Sequence, residues 1–289
     1  MKHPATYLLI AFFCLATLLT PVTVSATEKK SITWLVWELS PEYIRSGPMA
    51  GQGFADHYLN YFIKHLPEYQ HRIVWTSIRR FHREALRPGR CAPHIWGHFY
   101  PDRFVYSKPY LLTPPHMAIF HRRFEERFGP TDQLLSLVDL LEREKLTLMT
   151  PKQYKNQHRY PVLHPYMAPY LGTPQIKEMS HAANEVDLRL IERGRADFSL
   201  GYPTTIHAQK RDRGIKGDFI AYGLQEHQTY KEIHVGCFGD EQGQAVVAKI
   251  NGLRDRQMLE QFLGLYEEWN DGHPLYRRAF HEKILSTVE

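Results

Sequence analysis

Arg103 lies three residues before the run Tyr106-Ser107-Lys108-Pro109-Tyr110. A guanidinium keeps its charge at every accessible pH and offers a planar fork that meets a carboxylate with two hydrogen bonds. Beside an aromatic turn stiffened by proline, it suits capture of an acidic small molecule; on an open surface the same residue is merely solvated. Two histidine pairs, His94 with His98 and His116 with His121, have a spacing at which imidazoles can share an ion. His94 and His98 fall in a stretch rich in proline, glycine and aromatics, and no further ligands stand at a recognisable spacing, so no metal and no other cofactor is expected. Nucleophilic catalysis finds no Gly-x-Ser-x-Gly, because Ser199-Leu200-Gly201 lacks the first glycine. Glu38, Glu42 and Asp102 could act as acid or base, or hydrogen-bond a ligand or solvent.

The residues from Met1 to Ala26 read as a cleaved secretory signal: Lys2 and His3 open it, Leu8 to Leu19 form an apolar run, and Val24-Ser25-Ala26 resembles a cleavage site. That run is too short to span a bilayer, and Cys14 lacks the preceding small residues of a lipoprotein signal. An exported, periplasmic chain is expected. The formal net charge of +5 on 289 residues is small, and the densest basic cluster, Arg122-Arg123 to Arg127, is interleaved with Glu125-Glu126. A nucleic-acid groove wants clustered positive charge along one element, so no nucleic-acid partner is expected. Cys91 and Cys237 remain after processing. In an oxidising compartment an even pair favours a disulfide; the alternative is two small buried hydrophobes.

Periodicity supplies the elements that must position these residues. Ile32 to Trp37 reads as a buried strand, Phe54 to Leu66 as an amphipathic helix, and Arg72 to Thr76 as a second strand, an order that implies a parallel pair in an α/β layer. Later strands are expected at Met117 to Phe120, Lys145 to Met149, Gln175 to Met179, Phe198 to Leu200 and Ile233 to Phe238. Helices are expected at Leu134 to Leu141, Ala182 to Arg193, Gln242 to Leu253 and Arg256 to Trp269. Thr150-Pro151 has the form of a helix N-cap with proline in the first turn. Thr204 to Gly217 reads as an exposed loop.

Four segments together resemble the type II periplasmic solute-binding proteins, in particular the polar amino-acid-binding branch of extracellular solute-binding family 3. They are Trp37 to Tyr43 with Gly51-Gln52-Gly53-Phe54-Ala55-Asp56; the Arg103 to Tyr110 turn; Gly194-Arg195-Ala196-Asp197; and His234-Val235-Gly236-Cys237 running on to Gly243 and Ile250-Asn251. The resemblance implies a two-lobed α/β fold with a ligand cleft between lobes joined by a two-segment hinge. Lobe one would comprise 27–111 and 232–289, and lobe two 112–231. It implies Arg103 as the carboxylate holder, Trp37, Tyr43, Trp96 and Tyr202 as cleft aromatics, and Thr150 at an anion-accepting helix start. Core packing is the alternative for the tryptophans. It also puts Cys91 and Cys237 on neighbouring strands of lobe one, where they are expected to bridge.

The sequence departs from the family pattern in three places. Tyr106-Ser107 follows Arg103 three residues early, Tyr202-Pro203 stands where amino-acid binders place an Asp for the ligand ammonium, and Met149-Thr150-Pro151 replaces a Gly-Ser or Gly-Thr. The implied function is capture of a small acidic or amino-acid-like molecule by a monomer that serves a membrane permease of the ABC type. A dehydratase-like enzyme on the same scaffold and a ligand-sensing subunit for a membrane receptor are the alternatives.

Overall fold

Ile32, Trp34, Leu35 and Val36 are all sequestered in β1 (Ser31–Val36), as befits a strand covered on both faces by helices. The computed structural model describes residues 29–97, 99–152, 159–179 and 185–288. The expected signal segment with Cys14, His98, and the start of the helix expected from Ala182 lie outside them.

After β1 come α1 (Phe54–His65), β2 (Gln70–Trp75), α2 (Ile78–Glu84), β3 (Arg90–Trp96), β4 (Phe104–Tyr106) and β5 (Leu111–Thr113). The middle of the chain forms β6 (Met117–His121), α3 (Glu125–Phe128), β7 (Leu134–Leu135), α4 (Leu137–Glu142), β8 (Leu148–Pro151), α5 (His164–Met167), β9 (Ile176–Met179), α6 (Arg189–Glu192), β10 (Phe198–Gly201), α7 (Pro203–Arg213) and β11 (Phe219–Leu224). The chain then returns through β12 (Lys231–Phe238) to α8 (Glu241–Leu253), α9 (Arg256–Asn270) and α10 (Pro274–Lys283).

Two mixed sheets result. The first has the order β2-β1-β3-β12-β4, with β5 also paired to β12; the second has the order β7-β11-β6-β10-β8-β9. β1 and β2 are parallel, Ser31 opposite Gln70 through Val36 opposite Trp75, as the strand-helix-strand order requires. β5 leaves the first sheet beside the start of β12, Thr113 opposite Lys231, so the outgoing and returning chain run side by side. At the other end of β12, Cys237 faces Cys91 of β3 and the two are bridged, Cα to Cα 4.0 Å, which bears out the expected disulfide. The largest core fills the first sheet and α1, α9 and α10; Tyr58, Phe62, Phe262 and Tyr276 lie at its centre, each at most 1% exposed. Phe120, Leu148, Phe198 and Tyr222 anchor the core of the second sheet.

Several local expectations need correcting. Thr150-Pro151 closes strand β8 and starts no helix. The proline-at-N1 device occurs instead at Tyr202-Pro203, where Tyr202 caps α7. The segment expected to be an exposed loop is largely α7. Its inward side mixes Ile206 and Ala208 with buried Thr204, Thr205 and Gln209, and Gln209 donates to Val186 O at 2.8 Å while accepting from Leu188 N at 3.0 Å.

Candidate functional site

The structure disperses most of the expected ligand-binding residues. Arg103 is exposed at the far end of the first sheet: its carbonyl accepts from Gly239 N at 2.9 Å, and its guanidinium lies 5.7 Å from the Phe238 ring. The whole of β12 separates that end from the crossing at Lys231, roughly 24 Å for a strand rising about 3.4 Å per residue. The reason lies in the shortened loop. Trp96 stands opposite Ile233 and Phe104 opposite Phe238, so the chain doubles back along β12 before β4 begins and carries Arg103 with it. Trp37 meets Phe81 edge-on at 4.7 Å. Tyr43 is 1% exposed, set edge-on to Trp75 and His94. Trp96 donates to Thr113 Oγ1 at 3.0 Å, with Lys231 Nζ 4.0 Å from its ring, so it braces the crossing. Thr150 is buried in β8, its hydroxyl donating to Pro151 O. Of the histidine pairs, His98 lies outside the described residues, His94 is buried 3.1 Å from the Tyr110 hydroxyl, and β6 carries His121 away from His116.

Tyr202 does line a cleft, together with His116, Arg159, Tyr160, Glu185, Ser199 and Thr205. The end of β10 and the cap of α7 place Tyr202, and the entry to β6 places His116; their rings stack at 4.6 Å with 23° between planes. Tyr160 meets His116 edge-on at 4.9 Å and is fixed by its hydroxyl donating to Leu200 O at 3.0 Å. Gly201 permits the close passage, since an added Cβ would stand 2.9 Å from Ile119 Cδ1. The free space in the cleft is about 10 Å³, room for about one water molecule.

Glu42 reaches this group from the first sheet. Leu39 and Tyr43 exchange backbone hydrogen bonds at 3.1 and 3.0 Å, closing a tight turn with Glu42 near its tip. Pro41 O and Glu42 O accept from Phe54 N and Ala55 N, the unpaired amides that open α1. Only a glycine at 53 fits there, because a Cβ would collide with Glu42 O. The Asp56 carboxylate accepts from Ile44 N and Gly53 N, both at 3.0 Å, and locks the turn to the helix.

Burial, and then the negative charge of Glu185, push the Glu42 carboxyl up to about 7. Burial, followed by His227, Arg159 and Lys231, pushes His116 down to about 3, so its imidazole is neutral at physiological pH. The Tyr202 phenol is pushed up to about 12 by burial and then by Glu42, with Arg159 opposing. The constellation thus holds two carboxylates that feel one another's charge, a neighbouring guanidinium, and a stack of neutral rings. The sequence singles out Glu42 as an acid, a base or a ligand's hydrogen-bond partner and His116 only as half of a histidine pair; Arg159, Tyr160 and Glu185 sit in no motif that flags them.

Contacts of α7 and β11 with elements packed on the first sheet lie beside this region. Arg211 stacks 4.1 Å above Trp269 of α9, Ser40 Oγ donates to Asp212 Oδ2 at 3.2 Å, and His273 Nε2 lies 2.9 Å from Ala221 O. Among the described residues, no helix is long and apolar enough to cross a membrane.

No protein-family model and no curated protein matches the sequence. Solved structures do match in shape. A probable amino-acid ABC transporter extracellular-binding protein from Bacillus subtilis superposes with a TM-score of 0.58 at 14% identity, covering 83% of this chain and 98% of that one. The L-cystine solute receptor of Neisseria gonorrhoeae, in its unliganded open conformation, gives 0.56 at 13% identity, covering 86% and 96%. The second substrate-binding domain of Lactococcus lactis GlnP, also open, gives 0.56 at 12% identity over 86% and 96%. With two mixed sheets and paired crossing strands, the chain has the two-lobed fold of the type II solute-binding proteins.

Proposed function

We propose that this chain is an exported solute-binding protein that holds a small zwitterionic, amino-acid-like molecule in the cleft, whose walls must part from the present spacing to admit it, and serves an ABC-type importer as a periplasmic monomer. The observation that carries the reading is Glu42, whose carboxyl, held by the turn after β1, feels the charge of Glu185, which lines the cleft with Arg159 and the Tyr202-His116 stack. Two carboxylates that burden one another electrostatically are relieved by a ligand ammonium, and a guanidinium answers a ligand carboxylate. The rings cover whatever lies between. The similar solved structures, described as amino-acid and L-cystine binding proteins, support the same ligand class.

Thermal-shift screening of L-amino acids and related zwitterions, followed by calorimetry on the best ligand, tests this. Glu42→Gln and Arg159→Met should each weaken binding about tenfold or more, as expected when a ligand charge buried in the cleft is left without its partner. Arg103→Met should bind as the parent does. The reading fails if no zwitterion binds, or if both cleft variants retain parental affinity.

A second reading draws on the same pair: a carboxyl held near 7 beside another carboxylate is also what acid-base catalysis needs. Mass spectrometry of the recovered ligand separates the two, since a binding protein returns it unchanged.

A further inference from the structure

A second cavity, of about 370 Å³, opens between the second sheet and α10. One wall carries Met117 of β6 and Leu134 of β7; the other carries Leu275 and Ala279 of α10. The walls come nearest at Gly223, where an added Cβ would stand 2.6 Å from Leu134 Cδ2 and 2.7 Å from Leu275 Cδ1. A volume of this order, with apolar walls and a few polar groups, is typical of small-molecule sites.

The polar groups are unevenly satisfied. His227 lines the cavity at 8% exposure, and its Nδ1 is buried without a hydrogen-bond partner among the described residues. A buried polar nitrogen left unpaired is unfavourable and is ordinarily answered by water or a ligand. At the mouth, Arg278 and Lys283 of α10 make no ion pair with any described residue, although Glu282 shares their helix and Asp132 stands on the opposite rim. Lys231 adds a further positive charge, and with burial it holds the His227 imidazole neutral. The lining itself holds Arg278 and Lys283 against Asp132 and Glu282, and Lys231, acting on His227 from outside it, tips the local balance toward positive charge, which favours an anionic end on the occupant. The Tyr230 ring offers an aromatic flank.

We propose that this cavity is a second binding site, separate from the cleft, for a small hydroxylated aromatic carboxylate. Its carboxylate meets Arg278 and Lys283, its ring lies on Met117, Leu134, Leu275 and Ala279, and its hydroxyl satisfies His227 Nδ1. Because the walls belong to the second sheet and to α10, an occupant fastens one to the other. The His227 ring lies 5.9 Å from His116 of the cleft, so the two sites share a wall.

Calorimetry on the full chain with 4-hydroxyphenylacetate, phenylacetate and tyramine tests the proposal. The hydroxylated acid should bind, phenylacetate about fivefold more weakly for the lost hydrogen bond, and tyramine not detectably. Arg278→Glu should weaken 4-hydroxyphenylacetate about tenfold or more, while Tyr202→Ala in the cleft should leave it unchanged. His227→Phe, if it folds, should bind both acids equally; if it does not, the exposed Arg278→Glu variant decides alone. The proposal is overturned if 4-hydroxyphenylacetate does not bind, if tyramine binds equally well, if Arg278→Glu has no effect, or if Tyr202→Ala abolishes binding.

Discussion

Glu42 owes its chemistry to a turn that leaves its carboxyl no easy route back to water. Tyr43, Tyr110, Tyr202 and Tyr266 all feel its charge, it feels that of Glu185, and Tyr43 also feels Asp56. Its folded value of about 7 lies above the ordinary 4.5, so the folded chain holds this proton where the unfolded chain has lost it. The stabilising contribution is therefore complete below pH 4.5 and declines until about pH 7, by at most about 3 kcal/mol. His94 and His116, both pushed down to about 3 by burial, work oppositely, losing stability as pH falls below 6.5. Comparison with Glu42→Gln isolates the carboxyl: the variant's melting temperature should equal the parent's near pH 4 and exceed it increasingly up to pH 7. A difference that stays constant across that range would show that Glu42 is not perturbed. Tyr202 and the Glu42 loop were legible in the sequence because a turn motif or a proline marked them. Arg103 misled because its neighbouring turn kept the family's residues while the shortened loop moved the arginine to the other end of the strand.

At the scale of elements, apolar periodicity located β1, α1, β12 and α9, whose buried faces are hydrophobic. It missed α7, because the buried side mixes Ile206 and Ala208 with Thr204, Thr205 and Gln209 and so breaks the apolar periodicity, hydrogen bonds from Gln209 sharing the seating with the apolar contacts. It also missed α10, which begins at a Pro after His273 and buries Tyr276, Ala279 and Phe280. α7 matters beyond its own stability, since one end caps the cleft with Tyr202 and the other sets Arg211 on Trp269. Arg211 is half-covered, and a cation stacked on a tryptophan in such a place is worth about 1–2 kcal/mol. Arg211→Ala should therefore loosen α7 from α9, giving faster amide exchange in both helices and a larger radius of gyration in small-angle scattering. Ligand affinity should fall by up to about tenfold, because the closed arrangement is then less populated. Unchanged exchange and scattering would mean that Arg211 only decorates the surface of α9.

At the scale of the molecule, the cleft and the disulfide occupy opposite ends of the first sheet. The bridge joins residues 146 apart in sequence, so the closed loop contains the entire second sheet. Constraining a loop of that length in the unfolded chain stabilises the fold by about 2–5 kcal/mol, however local the bridge is in the native state. Cys91→Ala combined with Cys237→Ala removes the constraint without leaving a lone thiol. β12 remains paired with β3, β4 and β5 through its backbone, so the first sheet should persist. The double variant should melt at a clearly lower temperature and unfold at lower denaturant, yet bind the cleft ligand with parental affinity when assayed well below its melting point. Loss of binding in a variant that still folds would show that strain at the Cys91 end travels along β12 to the crossing at Lys231, and that the two ends of the sheet are coupled.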